Sequence, residues 1–204
     1  ASGLAAARPS KEVEVMPAET LGCYKGLDLS PAMVLQGSQI YADNSKVEFV
    51  VADLAEGLGE AKEDPPYDIY FSSYGSLSHL EDSKLQRLVE DIYEHCEDRC
   101  IFVADLVGRY SFEWPCYWDD PADRTTMRKY SMSYLYPREG PVPIDVEHFP
   151  LRYWGGREFD AFVTTIVQSK GGQIVRKRCW DRSVLVGRHM DTAEFNPRAQ
   201  SIRM

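Results

Sequence analysis

A chain of 204 residues is one domain on length alone and long enough to bury a sizeable core. Its formal net charge of −9 excludes the basic footprint by which proteins hold nucleic acid or an anionic membrane surface. No apolar run reaches the roughly 20 residues of a bilayer span, no signal peptide is visible, and five cysteines without a CxxC pair point to reduced thiols in a soluble, cytoplasmic protein.

The chain opens on Ala1 with no strand ahead of its first helix-like stretch, which points to a cut N-terminus. Residues 4–7 suit a helix start, and Pro9 and Pro17 break any long helix before residue 23. Residues 24–53 organise the rest of the chain: they read strand, tight turn, helix, strand. The run Val47, Phe49, Val50, Val51 suits a buried parallel strand. Ser30 is a good N-cap, and Pro31 falls at the first helical position, where its missing N–H costs nothing. Met33, Val34, Gly37, Ile40 and Tyr41 then recur at helical spacing.

Each strand of this unit ends in an acid. Ligands of doubly wound sheets sit outside the carboxyl ends of the strands. Asp28, at the first tip, can accept hydrogen bonds from both hydroxyls of a ribose; Asp53, beyond the next, can receive an adenine amino group. The competing account is that both are turn residues, since Asp favours strand ends anyway.

GLDLSPAMV (26–34) followed by VEFVVADL (47–54) resembles the second and third strands of class I S-adenosylmethionine-dependent methyltransferases. The resemblance implies a doubly wound, mostly parallel α/β sheet of the Rossmann-like kind, closed by an antiparallel C-terminal hairpin. It makes Asp28 the ribose ligand, places Leu29, Ser30 and Met33 beside the adenosine, and sets Asp53 and Leu54 beside the base. Gly3 would be the tail of the Gly-rich loop that approaches the methionine part of the cofactor. The first strand and the rest of that loop are absent from the sequence.

Residues 55–66 form an acidic connection with Gly and Pro and no periodicity. YDIYFSSYGS (67–76) then reads as a short aromatic strand, 67–71, and a loop of small residues at its carboxyl end. By resemblance Ser72, Ser73, Tyr74 and Gly75 line the transfer site. His79 is the imidazole of that region and the natural general base near neutral pH; the competing account has it capping or packing against the next helix. Leu85, Leu88, Val89, Ile92 and Tyr93 give residues 82–96 one apolar helical face, and residues 99–105 read as another buried strand ending at Asp105.

Residues 107–150 are dense in Trp, Tyr and Pro, and too long for an ordinary connection, which suggests a functional insertion or lid. Glu113, Trp114, Tyr117, Trp118, Tyr130 and Tyr134 are the candidates for enclosing a small-molecule acceptor. A structural hairpin or a homodimer contact would use the same residues. Asp119, Asp120 and Asp123 cluster without the ordered spacing of a metal site, so no metal is expected. Residues 155–172 read as an amphipathic helix with Phe159, Phe162, Val163, Ile166 and Val167 inward, stopped by Gly171 and Gly172. QIVRKRCW (173–180) and DRSVLVGRH (181–189) read as two strands of a hairpin.

Three functions remain open on the sequence. The first is methyl transfer from S-adenosylmethionine to a small-molecule acceptor within a single domain, 1–204. The second is a nicotinamide-dependent oxidoreductase, which needs a GxGxxG ahead of Asp28 that is not present. The third is a non-catalytic binding module of the same fold.

Overall fold

The computed structural model describes residues 18–111, 125–131 and 148–180. The chain divides into two compact units, Ala1–Pro65 and Pro66–Met204.

In the first unit a short 3-10 turn, Ala18–Thr20, precedes β1 (Tyr24–Asp28), α1 (Pro31–Ile40) and β2 (Val47–Val51). The Ser30 hydroxyl accepts the Met33 N–H at 3.4 Å, and Pro31 occupies the first helical position, the capping the sequence predicts. β1 and β2 pair in parallel, from Tyr24 opposite Val47 to Asp28 opposite Val51. Phe49 explains two glycines here. A Cβ on Gly26 would lie 2.6 Å from its ring and one on Gly37 would lie 3.0 Å away, so strand and helix close on Phe49 only because both lack side chains. Tyr24 and Tyr41 add ring contacts at 5.9 Å each. Beyond β2, two 3-10 segments, Leu54–Glu56 and Gly59–Glu63, give residues 55–66 more order than a plain connection.

The second unit holds β3 (Ile69–Ser72), a 3-10 turn (Ser76–His79), α2 (Asp82–His95), β4 (Ile101–Ala104), β5 (Arg128–Ser131), β6 (His148–Leu151) and α3 (Gly156–Ser169). β3 and β4 pair in parallel; β5 and β6 pair antiparallel. The predicted stripe of α2 is buried: Leu85, Leu88, Val89 and Ile92 are all at or below 7% exposure. Its neighbour α3 turns Ile166 inward and stops at Gly171, whose φ of +80° is a left-handed cap.

Among the described residues the strands form three two-stranded sheets, an α/β arrangement with two parallel pairs; one continuous doubly wound sheet is not seen in them. The expected C-terminal hairpin is corrected in its first half. Residues 173–180 form no strand, and Val175 and Trp180 are 89% and 74% exposed. Alternating apolar residues favour a strand, but a strand exists only where a ladder satisfies its backbone. Residues 181–189 lie outside the described residues. No helix among the described residues is long and apolar enough to cross a membrane.

Candidate functional site

Parallel register brings the two predicted acids together. Asp28 ends β1 opposite Val51, and the Ala52 N–H donates to the Asp28 carbonyl at 3.0 Å, so Asp53 follows immediately at the neighbouring tip. Both carboxylates are exposed. Asp28 Oδ1 accepts the Ser30 N–H at 2.8 Å, and among the described residues no donor reaches Oδ2. Asp53 is held similarly, its Oδ1 accepting the Ala55 N–H at 2.8 Å as the cap of a 3-10 turn. The turn account and the ligand account thus share each carboxylate: one oxygen fixes the loop and the other stays available. Leu29 and Met33 are 67% and 55% exposed, which leaves apolar surface next to Asp28. Leu54 is half-buried, and the Ser30 hydroxyl is committed to its helix cap.

In the second unit the loop at the carboxyl end of β3 is strained and tethered. Tyr74 has φ +60° and leaves 86% of its surface exposed. Its N–H donates to Asp105 Oδ2 at 3.2 Å, across from the end of β4. Gly75 follows at φ +72°, and a Cβ there would meet Val107 at 2.8 Å, so glycine is required twice over. The Ser73 carbonyl accepts both the N–H and the hydroxyl of Ser76. The Ser72 hydroxyl oxygen is buried and has no hydrogen-bond partner among the described residues.

His79 lies exposed at the end of this loop, its Nδ1 2.9 Å from the Pro150 carbonyl. A carbonyl only accepts, so Nδ1 carries the proton and Nε2 keeps a lone pair. The imidazole is therefore oriented by β6 and leaves its basic nitrogen free. Packing accounts for part of the residue, since the ring also meets Phe149 edge-on at 6.2 Å.

Three side chains that sequence reasoning passed over hold the loop in place. Ser78 is fully buried; its hydroxyl accepts the Val107 N–H at 2.9 Å and its carbonyl the Arg152 N–H at 2.6 Å. Arg152 is 1% exposed and donates to Asp82 at 2.9 Å, to Glu158 at 2.7 Å and to the Tyr153 carbonyl at 2.9 Å. Burial opposes its charge, but the bonds to Asp82 and Glu158 outweigh that and raise its pKa above the ordinary value. Trp154 lies under its guanidinium at 4.0 Å. The available signal was a lone Arg among Leu151, Tyr153 and Trp154, ahead of a helix-starting Glu158.

Of the remaining predicted residues, Tyr130 is half-buried on β5 and packs against the Leu151–Tyr153 cluster. Gly3, Glu113, Trp114, Tyr117, Trp118 and Tyr134 lie outside the described residues. No group of acids, cysteines and histidines among the described residues could hold a metal ion.

Residues 14–99, which contain both acids, the β3 loop and α2, match the family model described as a methyltransferase domain. The match spans less than half of the chain. It confirms the resemblance carried by the Asp28 and Asp53 strand ends. The chain is also similar to a solved S-adenosylmethionine-dependent methyltransferase from Clostridium acetobutylicum ATCC 824, with 11% identity and a TM-score of 0.48, over 73% of this chain and 67% of that one. No curated protein matches it.

Proposed function

We propose that this chain transfers the methyl group of S-adenosylmethionine to a small-molecule acceptor in the cytoplasm. The observation that carries the reading is the pair of exposed carboxylates, Asp28 and Asp53, on adjacent carboxyl ends of parallel strands inside the matched region. The free Oδ2 of Asp28 suits the ribose hydroxyls, and the exposed faces of Leu29 and Met33 suit the adenosine. Asp53 and Leu54 flank the base. The cofactor supplies an electrophilic sulfonium methyl; the protein's task is to hold the acceptor in line with it.

Ser72, Ser73, Tyr74 and Gly75 form the loop assigned to the cofactor at the transfer site. His79 takes the acceptor proton at Nε2, while the Pro150 carbonyl stabilises the Nδ1–H and the imidazolium that forms. The free thiols of Cys23, Cys96, Cys100 and Cys179 agree with a reducing compartment.

Calorimetric titration with S-adenosylhomocysteine tests the reading. Binding by the wild-type chain that disappears in Asp28→Ala is the expected result. Equal binding by both proteins would remove the ribose anchor, and no binding by either would remove the cofactor.

A further inference from the structure

The turn that carries the chain from α2 into β4 brings two thiols together. Cys96 caps α2, its N–H donating to the Ile92 carbonyl at 2.9 Å. Cys100 stands immediately before β4, whose first residue, Ile101, donates its N–H to the Asp68 carbonyl at 2.9 Å. Both ends of the turn are thus pinned, while Glu97, Asp98 and Arg99 between them are exposed. The Cys96 and Cys100 side chains are hydrogen-bonded to each other, and both residues are half-buried. The Tyr70 phenol lies near both thiols, but its hydroxyl is bound to His95 Nδ1 at 2.6 Å.

Disulfide geometry is demanding, and a pair of sulfurs already in hydrogen-bond contact across a short turn meets most of that demand in advance. We infer that Cys96 and Cys100 are a redox-active dithiol, which a low-molecular-weight disulfide converts into an intramolecular disulfide. None of the groups involved belongs to the methyl-transfer reading, so the inference does not depend on it.

The two thiols have different tasks. Burial, and then the hydrogen bond with Cys96, pushes the Cys100 thiol up, so Cys96 supplies the attacking thiolate. It attacks one sulfur of the reagent, whose S–S bond breaks and releases one thiolate. The mixed disulfide carries no charge on the Cys96 sulfur, which removes that neighbour's share of the upward push on Cys100. Cys100 then gives its proton to water, and its sulfur displaces the second reagent thiolate from Cys96. The chain loses two electrons and two protons, and the reagent leaves as two thiols. Excess thiol runs the sequence backwards, so the bond is reversible.

The test is equilibration of the full chain with 2-hydroxyethyl disulfide and 2-mercaptoethanol, followed by alkylation and tryptic peptide mapping. The reagent is uncharged, so Glu97 and Asp98 do not repel it. Trypsin cuts after Arg87, Arg99 and Arg109, which leaves the two cysteines on separate peptides, 88–99 and 100–109, that only a disulfide joins. At about 1 mM reagent the joined peptides should exceed the mixed disulfide at Cys96 by about tenfold or more, because closure is intramolecular. Excess 2-mercaptoethanol should separate them. Cys100→Ser should stop at the mixed disulfide on Cys96, and Cys96→Ser should leave Cys100 largely unmodified under the same conditions. Mixed disulfides that do not close, no reaction at either thiol, pairing with another cysteine instead, or equal modification of the two single variants would each overturn the assignment.

Discussion

His79 and Pro150, 71 positions apart in sequence, are joined by a 2.9 Å hydrogen bond from the imidazole Nδ1–H to the proline carbonyl. The bond selects one tautomer. It separates the two roles of the ring, since one nitrogen is structural and the other is free for proton transfer.

If His79 is the base, His79→Gln should lower kcat by about 10²–10⁴-fold, the usual contribution of a positioned general base. Affinity for S-adenosylhomocysteine should not move. Single-turnover methyl transfer beside a binding titration separates the two effects, and an unchanged kcat would make the imidazole a packing group only.

Arg152→Met should destabilise the second unit. It leaves Asp82 and Glu158, at 30% and 23% side-chain exposure, without the cation that balances them. Losing one partner of a buried ion pair costs about 3–5 kcal/mol, and partial solvent access to the carboxylates puts this variant near the lower end. Arg152→Lys should recover little, because an ammonium cannot reproduce the fork that reaches both acids. Urea unfolding measures both.

Gly26→Ala should cost about 1–3 kcal/mol through overpacking against Phe49, although alanine ordinarily tolerates a strand better than glycine does. The double variant Gly26→Ala, Phe49→Leu should recover part of that loss. Additive losses in the double variant would mean that Phe49 is not what keeps Gly26 small.

Cys100 sets an alkaline limit. Burial, followed by the hydrogen bond with Cys96, pushes its thiol up to about 12 from an ordinary value of 9.0. The unfolded chain therefore loses this proton before the folded one does. Stability linked to the proton is complete below about pH 9 and is lost progressively as pH rises toward 12. Wild-type unfolding free energy should fall more steeply across that window than that of Cys100→Ala; parallel curves would mean that the thiol titrates alike in both states.

Much of the first unit was legible because its signals are local. Ser30 and Pro31 announce α1, and Asp28 and Asp53 mark strand ends whatever else they do. The face of α2 and the Gly171 stop of α3 were equally plain, since helical spacing and left-handed caps need only neighbours in sequence. Arg152 was not legible: its partner Asp82 comes from 70 positions away, and a charged residue is exposed by default. Residues 173–180 failed in the opposite direction. Their alternation is a preference that only a neighbouring strand can realise, and none of the described strands pairs with them.

Tyr74 combines a left-handed backbone with a ring that buries almost nothing, so folding gains little from the side chain that makes its conformation costly. Tyr74→Gly should therefore stabilise the protein, by about 1 kcal/mol or more if the strain is typical of such sites. If the same change weakens turnover, position 74 is one where durability and performance are in direct conflict, and selection for thermal tolerance alone would erase the tyrosine.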